Sequence, residues 1–368
     1  MVKVVIGANF GDEGKGLMTD YFSSQMGGNG VVVLSNGGPQ RGHTVVHNGK
    51  RHVFHHFGSG TLNDYETYCP STFIVNPILY CKEKYELLYK FDILANVIMH
   101  PDCMITTPWD MMANQIIESA RDQRHGSCGM GIWETIKRDA VIPLRYRDHI
   151  YEGFVNEIRD YYKSRFIEHG IDSSDYDRMF FEDDDLVCCF VQDFECMFQN
   201  VIICKEDVLN DFDNIIFENG QGLLLDKDNH EYQPNTTPSY TGMRNPWVIM
   251  ERLEQNTTSD VEVCYVTRSY LTRHGAGKMP DERDRKEISE LIALDATNVP
   301  NEWQGELRYG IIDSYDLISR TKDDFYKYAP RDAKMTVAIT HLNEYCPDWT
   351  NKIGDYYSFS ETEIKKGN

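Results

Sequence analysis

Six short runs along the chain are continuously apolar and rich in β-branched residues: Lys3–Ile6, Val31–Leu34, Val187–Phe190, Asn214–Phe217, Glu262–Val266 and Thr336–Ile339. Runs without polar alternation predict strands covered on both faces, as in a parallel sheet. Between them, Leu17–Ser24, Trp109–Arg121, Asp148–Glu168 and Asn245–Gln255 carry helical patterns, and the last opens on Asn-Pro, a favourable helix start. Strand–helix alternation predicts an α/β fold with a large, mostly parallel central sheet flanked by helices. Neither an internal repeat nor a low-complexity linker interrupts it, so residues 1–368 read as one domain with loop and small subdomain insertions. Polar stretches at 122–145, 226–245 and 274–309 are too long for plain connections and predict long active-site loops.

Composition narrows the function classes. With 41% hydrophobic residues in 368, the chain buries a large core. No apolar run approaches the roughly 18 residues of a membrane span, and Met1–Gly7 enters a strand directly, so neither membrane nor leader is expected. The ten cysteines are scattered without a CxxC pair, which predicts reduced thiols, most of them small buried hydrophobes, in a cytoplasmic protein. A net charge of −21 speaks against a nucleic-acid surface but not against a nucleotide, whose phosphates are held locally by amides and a few cations. The acid run Glu182–Asp185 reads as a solvated turn rather than a metal site.

Two segments carry chemistry. Val4-Val5-Ile6-Gly7-Ala8-Asn9-Phe10-Gly11-Asp12-Glu13-Gly14-Lys15-Gly16 is a strand, a glycine-rich turn and a helix start, the layout that points backbone N–H groups at a phosphate. Lys15 adds a point charge there, although the spacing is not that of a Walker A loop. Asp12 is unexpected in a phosphate cradle unless it binds Mg²⁺ or takes a proton. The second segment follows a strand and reads Ser35-Asn36-Gly37-Gly38-Pro39-Gln40-Arg41-Gly42-His43-Thr44.

Together these segments closely resemble the adenylosuccinate synthetase family. The similarity continues through Asn48-Gly49-Lys50, His55–Gly60, Gly126-Ser127-Cys128-Gly129-Met130-Gly131-Ile132, Phe217–Asp226 and Thr272-Arg273-His274-Gly275-Ala276-Gly277, in family order over most of the chain. The resemblance implies a two-step ligation on a 6-oxopurine monophosphate. O6 first attacks a γ-phosphate, and the amine of L-aspartate then displaces phosphate from C6. In that reaction Asp12 is the general base for N1–H and a Mg²⁺ ligand with the Gly42 carbonyl, and His43 and Lys15 stabilise the transferring phosphoryl. Gly11, Glu13, Gly14 and Gly16 complete the phosphate loop, and Gln221 holds the nucleotide. Gln40, Ser127, Cys128 and Thr236 are implied for the acceptor's 5′-phosphate. Arg138 is the candidate for the arginine that a partner subunit contributes, which implies a homodimer.

Three departures from the family pattern refine the expectation. Where the family reads guanine with Thr-Lys-Leu-Asp, this chain has Thr340-His341-Leu342-Asn343. An amide offers one donor and one acceptor, matching adenine and not guanine, so ATP or dATP is the expected phosphoryl donor. The arginine-rich aspartate loop is rewritten as Ala296–Asp313, leaving Arg308, with Arg273 and Thr297 as further candidates for the aspartate carboxylates. Loss of an arginine that meets the ribose 2′-hydroxyl fits a 2′-deoxy acceptor. The C-terminal region is reduced, with Ser358-Phe359-Ser360 where the family closes over the donor base. These departures resemble the viral branch of the family, which implies dGMP, L-aspartate and ATP or dATP as substrates, 2-aminoadenine DNA synthesis and, for a viral protein, the host cytoplasm. The alternatives are an ordinary family enzyme using IMP and GTP, an inactive nucleotide sensor, and an unrelated P-loop ATPase.

Overall fold

The computed structural model describes residues 1–122, 126–148, 150, 152–176, 180, 182–254, 260–295 and 305–367. Ten strands among them form the central sheet: β1 (Val2–Gly7), β2 (Gly30–Val33), β3 (Glu66–Cys69), β4 (Val97–Met99), β5 (Val201–Ile203), β6 (Asn214–Glu218), β7 (Val261–Arg268), β8 (Lys334–Thr340), β9 (Tyr356–Tyr357) and β10 (Lys365–Lys366). Their order is β10-β9-β8-β7-β1-β6-β2-β3-β4-β5, and every pairing is parallel except β9 with β10.

The apolar runs read as strands because each feeds two cores at once. Val4 and Ile6 of β1 pack into one cluster and Val5 into the other, and Val31 and Val33 are likewise divided from Val32. Alternation is still present in direction, but both directions are apolar, so it disappears from the sequence. Lys3, the polar member of β1, lies half-covered at the sheet and donates to Glu262 of the adjacent β7 at 2.6 Å.

Helix α1 (Lys15–Met26) follows β1, and α2 (Pro77–Phe91) packs into the same core cluster on that face of the sheet. Helices α3 (Pro108–Ser119), α5 (Glu152–Glu168) and α6 (Asp184–Phe198) build a separate helical core around Trp109, Tyr162, Phe166, Phe190 and Phe194, and α4 (Ile132–Asp139) is tied to α3 through Arg138 and Asp110. A shorter helix, α7 (Arg244–Met250), covers the other face.

Several expectations are corrected. Val187–Phe190 is helical, because it lies inside α6, whose Phe190, Phe194 and Met197 recur at helical spacing on the buried face. The acid run beside it is a helix start: Asp183 accepts the Leu186 N–H, and Asp184 and Asp185 occupy the first turn, where negative charge is favoured. The third predicted helix begins at Glu152 rather than Asp148, and the fourth ends at Met250. Within the polar stretch 122–145, α4 is ordered by Gly131 and two buried faces of Ile132 and Thr135. All ten cysteines are free thiols, but Cys188, Cys189 and Cys346 are exposed, so burial describes Cys69, Cys81, Cys103 and Cys264 better than the set.

Candidate active site

In an open parallel sheet, ligands gather beyond the carboxyl ends of the strands. Here the loops after β1, β2, β6, β7 and β8 converge on a cleft of about 780 Å³. Asp12, Lys15, Gln40, Gly42, His43, Ser127, Cys128, Gln221, Thr236 and Asn343 all line it, as do Gly11, Glu13, Gly14 and Gly16.

The turn after β1 is built from inside. Buried Glu13 accepts the N–H groups of Asn9 at 2.6 Å and Gly11 at 3.2 Å, and Lys15 Nζ lies 3.1 Å from its other oxygen. One carboxylate therefore folds the loop and positions the lysine. Gly7 must be glycine, since a Cβ there meets Glu13 Oε2 at 2.3 Å and the Gln221 carbonyl at 2.5 Å. From below, Arg320 donates to the Ala8 carbonyl at 2.8 Å and to Asn9 Oδ1. Asp12 is left at the turn's apex with φ 60°, a left-handed conformation that non-glycine residues adopt mainly where surroundings impose it.

Asp12 is not alone. His274 Nε2 lies 3.3 Å from its Oδ2, and Arg268 Nε donates to its carbonyl oxygen. Burial pushes this carboxyl up, but the hydrogen bond and charge of His274, then Arg268 and Lys15, outweigh it and hold Asp12 below its ordinary value. It is an anion ready to accept a proton or bind a cation. Asp12 and the Gly42 carbonyl are hard oxygen donors on one cleft wall, a set that fits Mg²⁺ completed by water and phosphate oxygens. Among the described residues no group of three or more His, Cys, Asp or Glu side chains is placed to hold a metal ion by itself.

The loop after β2 presents His43 through a buried network. Glu218, at the end of β6, receives Arg41 Nη2 at 2.6 Å and lies 2.7 Å from His43 Nδ1, while Ser59 donates to it through both its N–H and its hydroxyl. Arg41 Nη2 also lies 2.8 Å from Nδ1. Both contacts fall on Nδ1: it carries the proton when it bonds to Glu218, which only accepts, and is bare when it receives Arg41, which only donates. Burial and then the Arg41 charge push His43 down to about 4, against the pull of Glu218, so the ring is neutral near pH 7. Burial opposes ionisation of Glu218, but Arg41 and His43 hold it far below its ordinary value.

Gln221 sits beside the β1 turn with φ 55°, its side-chain oxygen accepting from Asn36 Nδ2 at 3.3 Å. The 126–131 loop is tied by Glu118, which accepts the Gly126 N–H at 2.7 Å, and by Asn114, which accepts the Ser127 hydroxyl at 2.8 Å. It packs against the 274–277 turn so closely that a Cβ on Gly126 meets Ala276 N at 2.6 Å. On the remaining side, the register of β7 with β8 sets Arg268 beside Thr340, whose hydroxyl donates to the Glu13 carbonyl at 2.9 Å. Asn343 is exposed on the cleft wall just beyond, and Leu342 and Ser358 are joined by a backbone bond of 3.1 Å that brings Ser358 and Ser360 to the same rim.

The chain belongs to the adenylosuccinate synthetase family. The family model described as "Adenylosuccinate synthetase" matches residues 4–360. Adenylosuccinate synthetases of Xylella fastidiosa strain M12 and Mesoplasma florum are 29% identical over 296 residues and 28% over 289, covering 77% and 76% of this chain. The matched region spans 65% and 64% of those relatives' own lengths. Among solved structures, a fully ligated adenylosuccinate synthetase from Plasmodium falciparum is similar with TM-score 0.67 and 19% identity, over 93% of this chain and 77% of that one. The succinoaminodeoxyadenylate synthetase of cyanophage S-2L, bound to dGMP and to dATP as an energy donor, is similar with TM-score 0.67 and 13% identity, over 99% of this chain and 95% of its own. At those identities the two structures establish the adenylosuccinate synthetase fold.

Not every sequence-predicted residue joins the site. Arg138 is fully buried in α4, donating to Asp110, Asp139 and the carbonyls of Ile105 and Ile142. Its guanidinium is fully taken up by groups of its own helical core. Arg273 and Arg308 also lie outside the cleft lining. Arg273 stacks 4.6 Å from the Phe10 ring and donates to the Asn235 and Lys278 carbonyls, while Arg308 holds the Gly275 and Gly277 carbonyls and pairs with Glu282. Both brace the 274–278 turn. Thr297 falls outside the described residues. The sequence reading assigned no role to Arg268 and Glu218 and left that of His274 open; the one signal for Arg268 and Glu218 was a charged residue closing an apolar strand.

Proposed function

We propose that this chain is a ligase that joins L-aspartate to C6 of dGMP through a 6-phosphoryl intermediate, with ATP or dATP as phosphoryl donor. Membership of the adenylosuccinate synthetase family supports the ligase chemistry, and Asn343 on the wall of the same cleft as Asp12, Lys15 and His43 carries the choice of donor. The product is the 2-amino deoxy analogue of adenylosuccinate, a precursor for 2-aminoadenine DNA. The cyanophage protein's dGMP and dATP support the same reading for this chain.

The residues divide the work as follows. His274 occupies one oxygen of Asp12 and leaves the other for N1–H of the purine. Proton transfer from N1 to Asp12 puts electron density on O6, which attacks the γ-phosphorus as the bond to the departing diphosphate breaks. Lys15 and the N–H groups at the start of α1 meet the phosphates. Incoming phosphate charge raises the proton affinity of His43, whose Nε2 then donates to the transferring group while Glu218 retains Nδ1–H. Mg²⁺ held by Asp12 and the Gly42 carbonyl would neutralise phosphate charge when bound. In the second step the aspartate amine bonds to C6 and phosphate leaves with the C6–O6 pair, the amine losing a proton. A homodimer is part of the proposal, with the partner's contribution no longer assigned to Arg138.

The test crosses IMP, dIMP, GMP and dGMP with ATP, dATP and GTP in the presence of Mg²⁺ and L-aspartate, with succinyl adducts separated by chromatography. An adduct with dGMP and an adenine triphosphate is expected. An adduct confined to IMP with GTP makes the chain an ordinary adenylosuccinate synthetase and removes the argument from Asn343.

A further inference from the structure

The 274–277 turn is held more firmly than a surface turn needs. Arg308 donates to the Gly275 carbonyl at 3.1 Å and to the Gly277 carbonyl at 2.9 Å, and Arg273 donates to the Lys278 carbonyl and, at 2.9 Å, to that of Asn235. The turn also interlocks with the 126–131 loop, since a Cβ on Gly275 meets the Gly126 carbonyl at 2.8 Å. Two arginines and a second loop therefore fix the backbone that carries His274. Its ring stands on the cleft wall with Nε2 3.3 Å from Asp12 Oδ2, the two side chains being 18% and 24% exposed. An ionised carboxylate only accepts, so Nε2 carries the proton of this contact.

Asp12 is the residue assigned to N1–H of the purine, and the ring atom next to N1 is C2. A 2-amino-6-oxopurine presents N1–H and the 2-amino group as adjacent, parallel donors, whereas a 6-oxopurine with hydrogen at C2 presents N1–H alone. One carboxylate matches the pair, with two oxygens and about four lone-pair positions. The last torsion of an aspartate side chain is broad, so an untethered carboxylate offers an oxygen to N1–H in many orientations. The N–H of His274 on Oδ2 fixes the carboxylate plane. Oδ2 keeps a second acceptor position, and Oδ1 is left for N1–H. The other charged groups that bear on Asp12 are Arg268 and Lys15, which only donate and cannot receive a 2-amino group.

We infer that His274 is a positioning residue for purine selection: it sets the Asp12 carboxylate so that Oδ1 receives N1–H and Oδ2 receives the 2-amino group of the acceptor. The inference rests on the ligase reading above and says how that site tells dGMP from dIMP. His274, N1–H and the 2-amino group use three of about four acceptor positions, and one remains for the cation assigned to Asp12. With hydrogen at C2, Oδ2 faces a C–H and its second position goes unpaired, which is unfavourable in a closed site. A site built to hydrogen-bond a substrate N–H rejects the analogue lacking it far more strongly than an apolar pocket rejects an added group. The bracing of the turn follows from the same role, because a carboxylate plane is fixed only as well as the group that holds it.

The experiment measures kcat/KM for dGMP and for dIMP with the donor triphosphate that the wild type uses, in the full chain, in His274→Val and in His274→Gln, with KM for L-aspartate alongside. The wild type is expected to favour dGMP by at least about thirtyfold. His274→Val removes the donor, and this ratio is expected to fall about tenfold or more, chiefly through dGMP. Glutamine returns an N–H donor of similar reach, and the ratio in His274→Gln is expected to stay within about threefold of the wild type. The L-aspartate KM should move less than about twofold in either variant. An equal loss for both purines in His274→Val makes His274 a structural brace and overturns the inference, as does a ratio in His274→Gln that collapses to that of His274→Val. A wild type that turns over dIMP as well as dGMP overturns it whatever the variants do, even if His274→Val does not fold, and leaves the ligase reading standing. A wild type confined to IMP with GTP, or without aspartate-dependent turnover, overturns the dGMP reading and this assignment with it.

Discussion

The two halves of the cleft are built on different principles. On the phosphate side, Gly7–Lys15, Gly37–His43 and Glu218–Gln221 form a cradle of backbone amides whose shape is locked by buried carboxylates. On the opposite side, between Arg268 and Arg308, the arginines brace turns and the charged contacts run between side chains distant in sequence. A backbone cradle needs glycines at fixed local spacing, so it leaves a motif. A carboxylate receptor needs only a cation in the right place, and many places along a chain deliver one.

The comparison is broken most forcefully at Asp12. Asp12→Asn keeps a residue tolerant of φ 60° and is expected to lower turnover about a thousandfold with an unchanged circular dichroism spectrum. Retention of wild-type rate removes Asp12 as the base. Arg138→Met should instead act on stability, because it leaves Asp110 charged and buried. A loss of about 3–5 kcal/mol in denaturant unfolding is expected, with the aspartate KM of the folded fraction unchanged. An aspartate- or nucleotide-selective KM effect without destabilisation would return Arg138 to the site.

Asn343→Asp exchanges a donor for an acceptor and is expected to shift the ATP-to-GTP preference about tenfold toward GTP. An unchanged ratio places base recognition elsewhere. Arg308→Ala loosens the Gly275–Gly277 turn, and KM values for L-aspartate and nucleotide should both rise by about two- to fivefold. A rise confined to aspartate would make Arg308 a substrate contact after all.

The smallest effect is on pH dependence. His43, lowered to about 4 by burial and Arg41, and His56 and His341, lowered chiefly by burial, bind protons more readily in the unfolded chain. Their contribution is therefore present above pH 6.5 and is lost as pH falls from there toward 4, so the thermal midpoint should drop across that window. Asp324, raised by burial to about 6 while accepting from Tyr265 and the Met243 N–H, works in the opposite sense. A midpoint that is flat from pH 7 to 5 in Asp324→Asn, where the opposing group is gone, would contradict the neutral state of His43.

Much of this was legible before the structure. Five of the six apolar runs lie in strands of the central sheet, since a run buried on both faces announces itself. Val187–Phe190 failed because a short apolar run is the same in a strand and in a buried helix, and only its packing beside Phe194 and Met197 separates them. The phosphate loop, His43, Gln221 and Asn343 come together on one cleft because their positions follow locally from the ends of those strands.

What the sequence alone determined is therefore the local part: the five strands at the middle of the sheet, where the glycine turns fall, and which side chains stand at those strand ends. The tertiary structure decided the pairings. Val2 against Val261 and Glu262 against Lys334 set the register that carries Arg268 to Asp12, 256 residues away, and the turn after β7 carries His274 to the same carboxylate. Arg138, Arg273 and Arg308 look identical to Arg268 as letters. Burial and the nearest carbonyl or carboxylate divide them into braces of turns and helices and a guanidinium on the cleft wall, and those neighbours exist only once the sheet has closed.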